Sequence, residues 1–230
     1  MSEILEITPE QREHAVEQAA LRLRAGELVV LPTDTVYGVA ADAFNPQGTA
    51  RVFAAKRRER SFPLPVLLRS PKQLLGLCTT VPETAERLMA AYWPGPLTMV
   101  LPSDPNLRWD LGQAEGTVAV RMPLDPVALD VIRAVGPLAV TSANRSGQPA
   151  ATTAAEAVEQ LGEEVALYLD DGERRDLQPS TIVDLTRRRP HVLRAGVLDA
   201  DEIVAVATGE IEPTEASSPQ DANRDDAGPA

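Results

Sequence analysis

Aromatic residues make up only 3% of this chain of 230 residues. Proteins that bind single-stranded nucleic acid depend on exposed aromatic rings on which the bases stack. That function is therefore hard to build from this composition. The hydrophobic content is nonetheless 43%, so we expect a core of alanine, valine and leucine. A chain of this length is long enough to bury one such core.

The sequence also lacks the marks of a secreted or membrane protein. Its one cysteine, Cys78, cannot form a disulfide within the chain, which is typical of proteins from a reducing compartment. There is no N-terminal signal pattern, and no apolar run approaches the ~18 residues that span a membrane. We therefore expect a cytoplasmic protein with no membrane partner.

Charge is distributed unevenly along the chain. The net charge of -12 disfavours nonspecific binding to nucleic acid, yet residues 51–72 contain seven basic residues and one acid. The only two lysines, Lys56 and Lys72, fall in this segment. A compact ammonium at Lys56 beside the planar fork of Arg58 suits a phosphorylated ligand. The alternative is that Lys56 ends a helix, where a cation offsets the helix dipole.

Strand-like and helical segments alternate along the chain, which predicts an α/β fold with helices packed on a sheet. Helix starts are predicted at Thr8, Ser70, Asp125, Thr153 and Asp199, each from a capping residue followed by proline or an acidic or amide side chain. The predicted strands are 27–31, 64–69, 97–101, 117–121, 137–141, 165–169, 180–185 and 191–194.

The composition changes near the C-terminus. Residues 208–230 contain six acids, three prolines and one large aliphatic residue, Ile211. Such a segment cannot bury enough apolar surface to fold. We therefore divide the chain into a folded catalytic domain at 1–207 and an acidic disordered tail at 208–230.

Two short loops carry most of the chemical information, and both adjoin predicted strands. One is the basic cluster that includes Lys56 and Arg58, and the other is the small polar loop 141–147. In open α/β sheets ligands bind at strand ends. Cations that face hydroxyl and amide groups suit a polyphosphate ligand.

Together with five further motifs, these loops form a series that resembles the YrdC-like family, whose characterised members are threonylcarbamoyl-AMP synthases of the TsaC type. The resemblance covers roughly residues 27–207. In chain order the motifs are Pro32–Gly38, Lys56-x-Arg58, Trp93–Thr98, Val118–Pro123, Ser142-Ala143-Asn144, Ser180–Asp184 and Leu193–Gly196.

The resemblance implies a twisted mixed sheet whose concave basic face holds both substrates. It implies that L-threonine, bicarbonate or carbon dioxide, and ATP are converted to threonylcarbamoyl-adenylate and pyrophosphate, for threonylcarbamoyladenosine synthesis in tRNA. It also makes tRNA and tRNA-modification proteins candidate partners. The sequence contains neither a P-loop pattern nor a metal-binding motif, so Mg²⁺ would arrive with ATP.

Residue roles follow where this sequence matches the family motifs. The cations Lys56 and Arg58 are the expected catalytic residues, which stabilise the pyrophosphate leaving group. The expected threonine-binding residues are Thr35, Arg121 and Ser180. The expected ATP-binding residues are Lys56, Arg58, Thr117, Ser142, Asn144 and Arg194.

Two alternative functions remain open at this point. The same basic face could bind double-stranded RNA or tRNA, with Arg51, Arg57, Arg60 and 187–189 extending it. The chain could also be a YciO-like paralogue with another activity. It departs from the common family pattern at Glu59, Phe62, Leu67 and Ala150, and these departures affect individual contacts more than the reaction.

Overall fold

The structure, a computed structural model, describes residues 2–174 and 178–213. Six α-helices lie in these ranges: α1 Arg12–Arg24, α2 Pro46–Lys56, α3 Glu83–Tyr92, α4 Pro126–Val135, α5 Ala154–Leu161 and α6 Ala200–Thr208. The ten strands are β1 Glu3–Glu6, β2 Val29–Leu31, β3 Gly38–Asp42, β4 Val66–Leu67, β5 Leu97–Pro102, β6 Thr117–Arg121, β7 Leu138–Ser142, β8 Leu167–Asp170, β9 Thr181–Asp184 and β10 His191–Arg194.

All ten strands form one mixed sheet in the order β1-β8-β2-β3-β7-β4-β6-β5-β9-β10. Neighbours such as β5 and β9 are parallel, whereas β5 and β6 are antiparallel. Mixed pairing with helices on the faces confirms the predicted fold class. Each of the eight predicted strands is present, and the structure adds β1 and β3.

The two faces of the sheet are covered unequally, and this positions the site. On one face α1 and α4 pack against the half of the sheet around β2, β3 and β8. On the other face α2, α3, α5 and α6 contribute to a larger core. In β6 the residues Val118 and Val120 point into that larger core, so Thr117 and Arg121 point to the opposite face.

Most helix starts follow the predicted capping chemistry. Asp125 accepts hydrogen bonds from the N–H groups of Val127 and Ala128, both at 2.9 Å, and begins α4. Thr153 and Glu156 form a complete capping box at α5, and Asp199 caps α6. These bonds satisfy N–H groups that have no partner within the helix.

Two predicted helix starts differ from the structure. The Thr8 hydroxyl accepts from the Gln11 N–H at 3.3 Å within a turn, so α1 begins only at Arg12. Ser70 forms a capping box with Gln73, but the segment it begins is a 3₁₀ helix, Pro71–Gly76. Capping residues identify where a turn begins, whereas the packing of the following residues decides its length and type.

The described chain continues past the predicted boundary at residue 207. Helix α6 ends at Thr208, and Ile211 packs against the larger core. Arg87 donates to the Val206 carbonyl at 3.0 Å and to the Ile211 carbonyl at 3.4 Å. The rest of the predicted tail, 214–230, lies outside the described residues. None of the helices within the described ranges combines the length and apolar character needed to cross a bilayer.

Candidate functional site

A cavity of about 400 Å³ lies on the sheet face that α1 and α4 leave uncovered. Its volume is within the range of small-molecule binding sites. The floor is formed by alternate residues of the central strands, including Thr98 on β5 and both Thr117 and Arg121 on β6. The walls are loops 33–38 and 58–65, the end of β7, and residues 179–180.

Arg121 lies at one end of this cavity and is 6% exposed. Its Nε donates to the Gly95 carbonyl at 3.0 Å, and its Nη1 donates to the Thr35 hydroxyl at 3.2 Å. Its Nη2 lies 2.6 Å from an Asp34 carboxylate oxygen in an ion pair. The guanidinium is therefore fixed on three sides, which prepares it for planar recognition of a carboxylate.

Ser180 and Arg194 form a second group of polar contacts in the same cavity. The Ser180 and Thr98 hydroxyl oxygens are 2.9 Å apart. Arg194 Nη2 donates to the Ser180 carbonyl at 2.7 Å and to its hydroxyl at 3.1 Å. Burial lowers the pKa of the Arg194 guanidinium, and the positive charges of Arg121 and Arg58 add to the shift.

Arg58 lies in the wall of the cavity beside Phe62. Its Nε donates to the Phe62 carbonyl at 2.9 Å, its Nη2 donates to the Pro63 carbonyl at 3.2 Å, and its guanidinium lies 5.8 Å from the Phe62 ring centroid. Burial lowers the pKa of Arg58 as well. Phe62, one of the departures from the family pattern, is 60% exposed and forms an apolar part of the wall.

Lys56 and Asn144 lie behind the wall and do not line the cavity. Lys56 is 1% exposed, and its ammonium donates to the backbone carbonyls of Ser142 and Asn144. The Asn144 side-chain amide donates to the carbonyls of Arg145 and Gln148 at 2.9 and 2.7 Å. Both side chains thus hold the loop that carries Ser142, which does line the cavity.

The environment of Lys56 changes its proton affinity. Burial lowers the pKa of the ammonium to about 7, and the nearby charge of Arg58 contributes to the same direction. A desolvated ammonium is less stable than the neutral amine unless oxygens surround it. The carbonyls of Ser142 and Asn144 oppose this effect of burial on Lys56.

The cavity collects most of the residues that the motifs single out. It brings together Thr35, Arg58, Thr117, Arg121, Ser142, Ser180 and Arg194. It also contains Thr33 and Thr98, which the sequence did not identify as site residues. Thr98 could have been identified from its place in the Trp93–Thr98 motif. It follows Leu97, which is buried in the core, so its side chain points to the opposite face of the strand.

Three of the arginines considered for an RNA-binding face contact other groups of the chain. Arg51 donates to the Gly26 carbonyl at 2.6 Å, Arg60 pairs with Asp110, and Arg187 lies 3.3 Å from Asp184. Within the described residues no group of three or more histidine, cysteine or acidic side chains is arranged to hold a metal ion.

The chain is similar to known proteins over most of its length. Residues 22–196 match the family model Sua5_yciO_yrdC, described as telomere recombination. A Mycobacterium tuberculosis protein, provisionally named threonylcarbamoyl-AMP synthase, is 48% identical over 198 residues, which cover 86% of this chain and 91% of that protein. The threonylcarbamoyl-AMP synthase of Pyrococcus abyssi is 39% identical over 92% of this chain and 62% of its own length.

Two solved structures resemble the fold. P. abyssi Sua5 complexed with L-threonine has a TM-score of 0.83 at 38% identity, with 92% of this chain and 62% of that chain covered. Escherichia coli YciO has a TM-score of 0.77 at 27% identity, with 86% of this chain and 98% of that chain covered.

Proposed function

Because this chain belongs to the Sua5–YciO–YrdC family, we propose that it is a threonylcarbamoyl-AMP synthase, a nucleotidyltransferase of tRNA modification. Its substrates are L-threonine, bicarbonate or carbon dioxide, and ATP, which brings Mg²⁺ with it. The observation that carries the proposal is one cavity that holds three arginines and several hydroxyl groups. This set suits a carboxylate and a polyphosphate better than an apolar ligand.

The reaction needs the threonine nitrogen as a carbamate. The neutral amine adds to carbon dioxide and loses a proton, and a carbamate oxygen then attacks the α-phosphorus of ATP. The bond from that phosphorus to the bridging oxygen breaks, and pyrophosphate leaves. The protein must align the attacking and leaving oxygens and stabilise the charge of the leaving group.

The geometry supports a division of the cavity between the two substrates. Arg121, with Thr35 beside it, would bind the threonine carboxylate, and Ser180, which Arg194 also contacts, would contribute a hydroxyl where the two substrates meet. Arg58 and Arg194 would contact the phosphates, and Thr117 and Ser142 would orient the nucleotide by neutral hydrogen bonds. Lys56 and Asn144 would act by holding the Ser142 loop in place.

The decisive experiment measures the products formed by the purified protein. We expect pyrophosphate release from ATP that requires both threonine and bicarbonate, with an AMP-linked threonine derivative detected by mass spectrometry. The formation of ADP and phosphate, or release that proceeds equally fast without threonine, would contradict the proposal.

The contact between Gly196 and residue 180 yields one prediction. A β-carbon on Gly196 would lie 2.6 Å from both the Ser180 carbonyl carbon and the Thr181 nitrogen, which are backbone atoms. Gly196→Ala must therefore displace Ser180, and we expect turnover at subsaturating threonine to fall by roughly 10–100-fold. Steady-state kinetics with threonine as the varied substrate measures this effect.

Gly76→Ala is the matched control, because no atom outside its own turn and its two chain neighbours lies within 4 Å of the position that its β-carbon would take. We expect the control to retain the wild-type rate. If Gly196→Ala kept its threonine dependence and its melting temperature, residue 180 would not need its present position.

We further propose that residues 214–230 are dispensable for the reaction. The described contacts of the C-terminal part end with Arg87, which lies 3.3 Å from Glu212. Truncation after Pro213 should leave the melting temperature and the turnover number unchanged, since it keeps Ile211 on the core. The ATP Michaelis constant at low and high salt is the sensitive readout. A constant that falls on truncation only at low salt would show that the acidic segment shields the cavity.

A further inference from the structure

The three arginines of the cavity differ in their partners. Arg121 forms an ion pair with Asp34 at 2.6 Å. Arg58 donates to two backbone carbonyls, and Arg194 donates to the carbonyl and hydroxyl of Ser180. Within residues 2–174 and 178–213, no carboxylate pairs with Arg58 or Arg194. Only the Arg121 end of the cavity therefore has a counter-charge.

Asp34 contacts Arg121 but does not line the cavity. Its neighbours Thr33 and Thr35 line the cavity, whereas Asp34 does not. The Asp34 side chain is 10% exposed, and neither of its oxygens has a hydrogen-bond partner. Its contact with Arg121 is thus an ion pair without hydrogen-bond geometry, and Asp34 contributes mainly its charge.

The other carboxylate close enough to influence this region is paired elsewhere. Asp125 interacts electrostatically with Asp34, but it caps α4 and lies 3.3 Å from Arg174. Arg174 also pairs with Asp171 at 2.8 Å. Among the described residues, Asp34 is therefore the carboxylate that neutralises Arg121.

The two substrates of the proposed reaction differ in net charge. Free threonine enters as a zwitterion with no net charge, and its nitrogen becomes a carbamate only after binding, whereas a triphosphate carries several negative charges throughout. A buried arginine without a counter-charge would attract the triphosphate strongly, because Coulomb energies rise in a desolvated cavity. A carboxylate behind the arginine cancels this attraction and leaves the remaining N–H groups free to bind a carboxylate in plane.

We propose that Asp34 is a specificity-determining residue that reserves the Arg121 end of the cavity for a zwitterionic amino acid and excludes polyphosphate from it. The inference rests on the proposed function and adds the physical basis for keeping the two substrates apart. Asp34 touches neither substrate and acts through the charge of Arg121. The uncompensated cations Arg58 and Arg194 then form the polyphosphate end.

The test uses inorganic tripolyphosphate as the probe and the full chain as the protein. In the wild type, tripolyphosphate should compete with ATP and not with threonine. Asp34→Asn keeps the shape of the side chain and removes its charge, so tripolyphosphate should now also compete with threonine. At a tripolyphosphate concentration that leaves the threonine Michaelis constant of the wild type unchanged, we expect that constant to rise by about tenfold in Asp34→Asn, the factor that one unit charge at close range readily supplies.

Three further variants separate charge from structure. Asp34→Glu restores the charge and should restore the wild-type inhibition pattern. Asp130→Asn removes a carboxylate that pairs with Arg12 and Arg133 away from the cavity, and should change nothing. Ala119→Lys adds a cation to the cavity without altering the Asp34 ion pair, and should admit tripolyphosphate as Asp34→Asn does.

The outcomes distinguish this inference from the function on which it rests. A folded Asp34→Asn variant that keeps the wild-type inhibition pattern would overturn the role of Asp34. If Asp34→Asn does not fold, Asp34→Ser replaces it as a second uncharged variant, and the same two outcomes support or overturn the proposal. Calorimetric titration of the wild type with threonine tests the function itself, and a lack of binding would overturn both.

Discussion

Replacing Arg121 with lysine will weaken threonine binding by about one to two orders of magnitude and change ATP affinity far less. Arg121 presents a planar fork that three neighbours hold in place. Lysine keeps the positive charge beside Asp34 but cannot bind a carboxylate through two parallel N–H groups. The loss of one charge-assisted hydrogen bond costs about 1.5–3 kcal/mol, which corresponds to that change in affinity. Calorimetric titration with each substrate measures it.

The choice of lysine matters, because alanine would leave the Asp34 carboxylate buried without its partner. Breaking a buried ion pair in this way costs about 3–5 kcal/mol of stability and would obscure the effect on binding. Arg133→Lys is the matched control, since Arg133 pairs with Asp130 on an exposed helix surface. An unchanged threonine affinity in Arg121→Lys would remove Arg121 from the threonine end of the cavity.

Replacing Lys56 with methionine will lower both the stability of the fold and the use of ATP, while threonine still binds. Methionine fills a similar space but cannot donate to the Ser142 and Asn144 carbonyls. The Ser142 carbonyl still accepts from the Asn144 N–H at 2.9 Å, whereas the Asn144 carbonyl loses its donor, and a buried carbonyl without a donor costs about 1–3 kcal/mol. The loop that carries Ser142 would then lose its position in the cavity wall. Urea unfolding together with the ATP Michaelis constant measures both effects.

The two roles considered for Lys56 give different results. A lysine that only contacts phosphate would lose ATP affinity on substitution and keep its stability. A lysine that only supports the loop loses both together. Lys72→Met is the control, because Lys72 is exposed and is the one other lysine in the chain.

The pKa of Lys56 determines how the stability difference between the wild type and Lys56→Met changes with pH. Its pKa falls from the ordinary 10.5 to about 7 in the folded protein. The unfolded chain therefore binds more protons between these two values, so the stability that depends on Lys56 rises with pH across this window. The stability difference between wild type and Lys56→Met should grow from about pH 7 upward, by at most ~1.4 kcal/mol per pH unit. A flat difference would show that the surrounding oxygens keep the ammonium charged.

The strands were predictable to the extent that their residues show β propensity and alternation. Strand β3, Gly38–Asp42, is present in the structure but was not predicted from the sequence. Of its five residues, only Val39 has a high β propensity. It is extended because β2 and β7 pair with it on both sides. Strand β1 has only four residues and depends on pairing with β8, which lies more than 160 residues away. Neither the pairing of β3 nor that of β1 can be inferred from the local sequence.

The site shows a similar division. Residues that follow or lie in predicted strands, such as Arg121 and Ser180, reach the cavity as expected from their place at strand ends. Lys56 differs because it lies in the last turn of α2, and no local pattern shows which way its side chain points. Its direction depends on the carbonyls of a loop 86 residues away. The ion pair between Asp34 and Arg121 likewise joins residues that only the folded sheet brings together.

Successive residues of β6 point to opposite faces of the sheet. Which side chains of β6 reach the cavity therefore depends on the register of this one strand. Val118 and Val120 face the core, and Arg121 and Thr117 face the cavity, so each functional residue has an apolar neighbour in the chain. Inserting or deleting a single residue within β6 would exchange these two sets. The guanidinium would enter an apolar core, and a valine would occupy the carboxylate-binding position. A change of length within the five residues of this strand is therefore not tolerable.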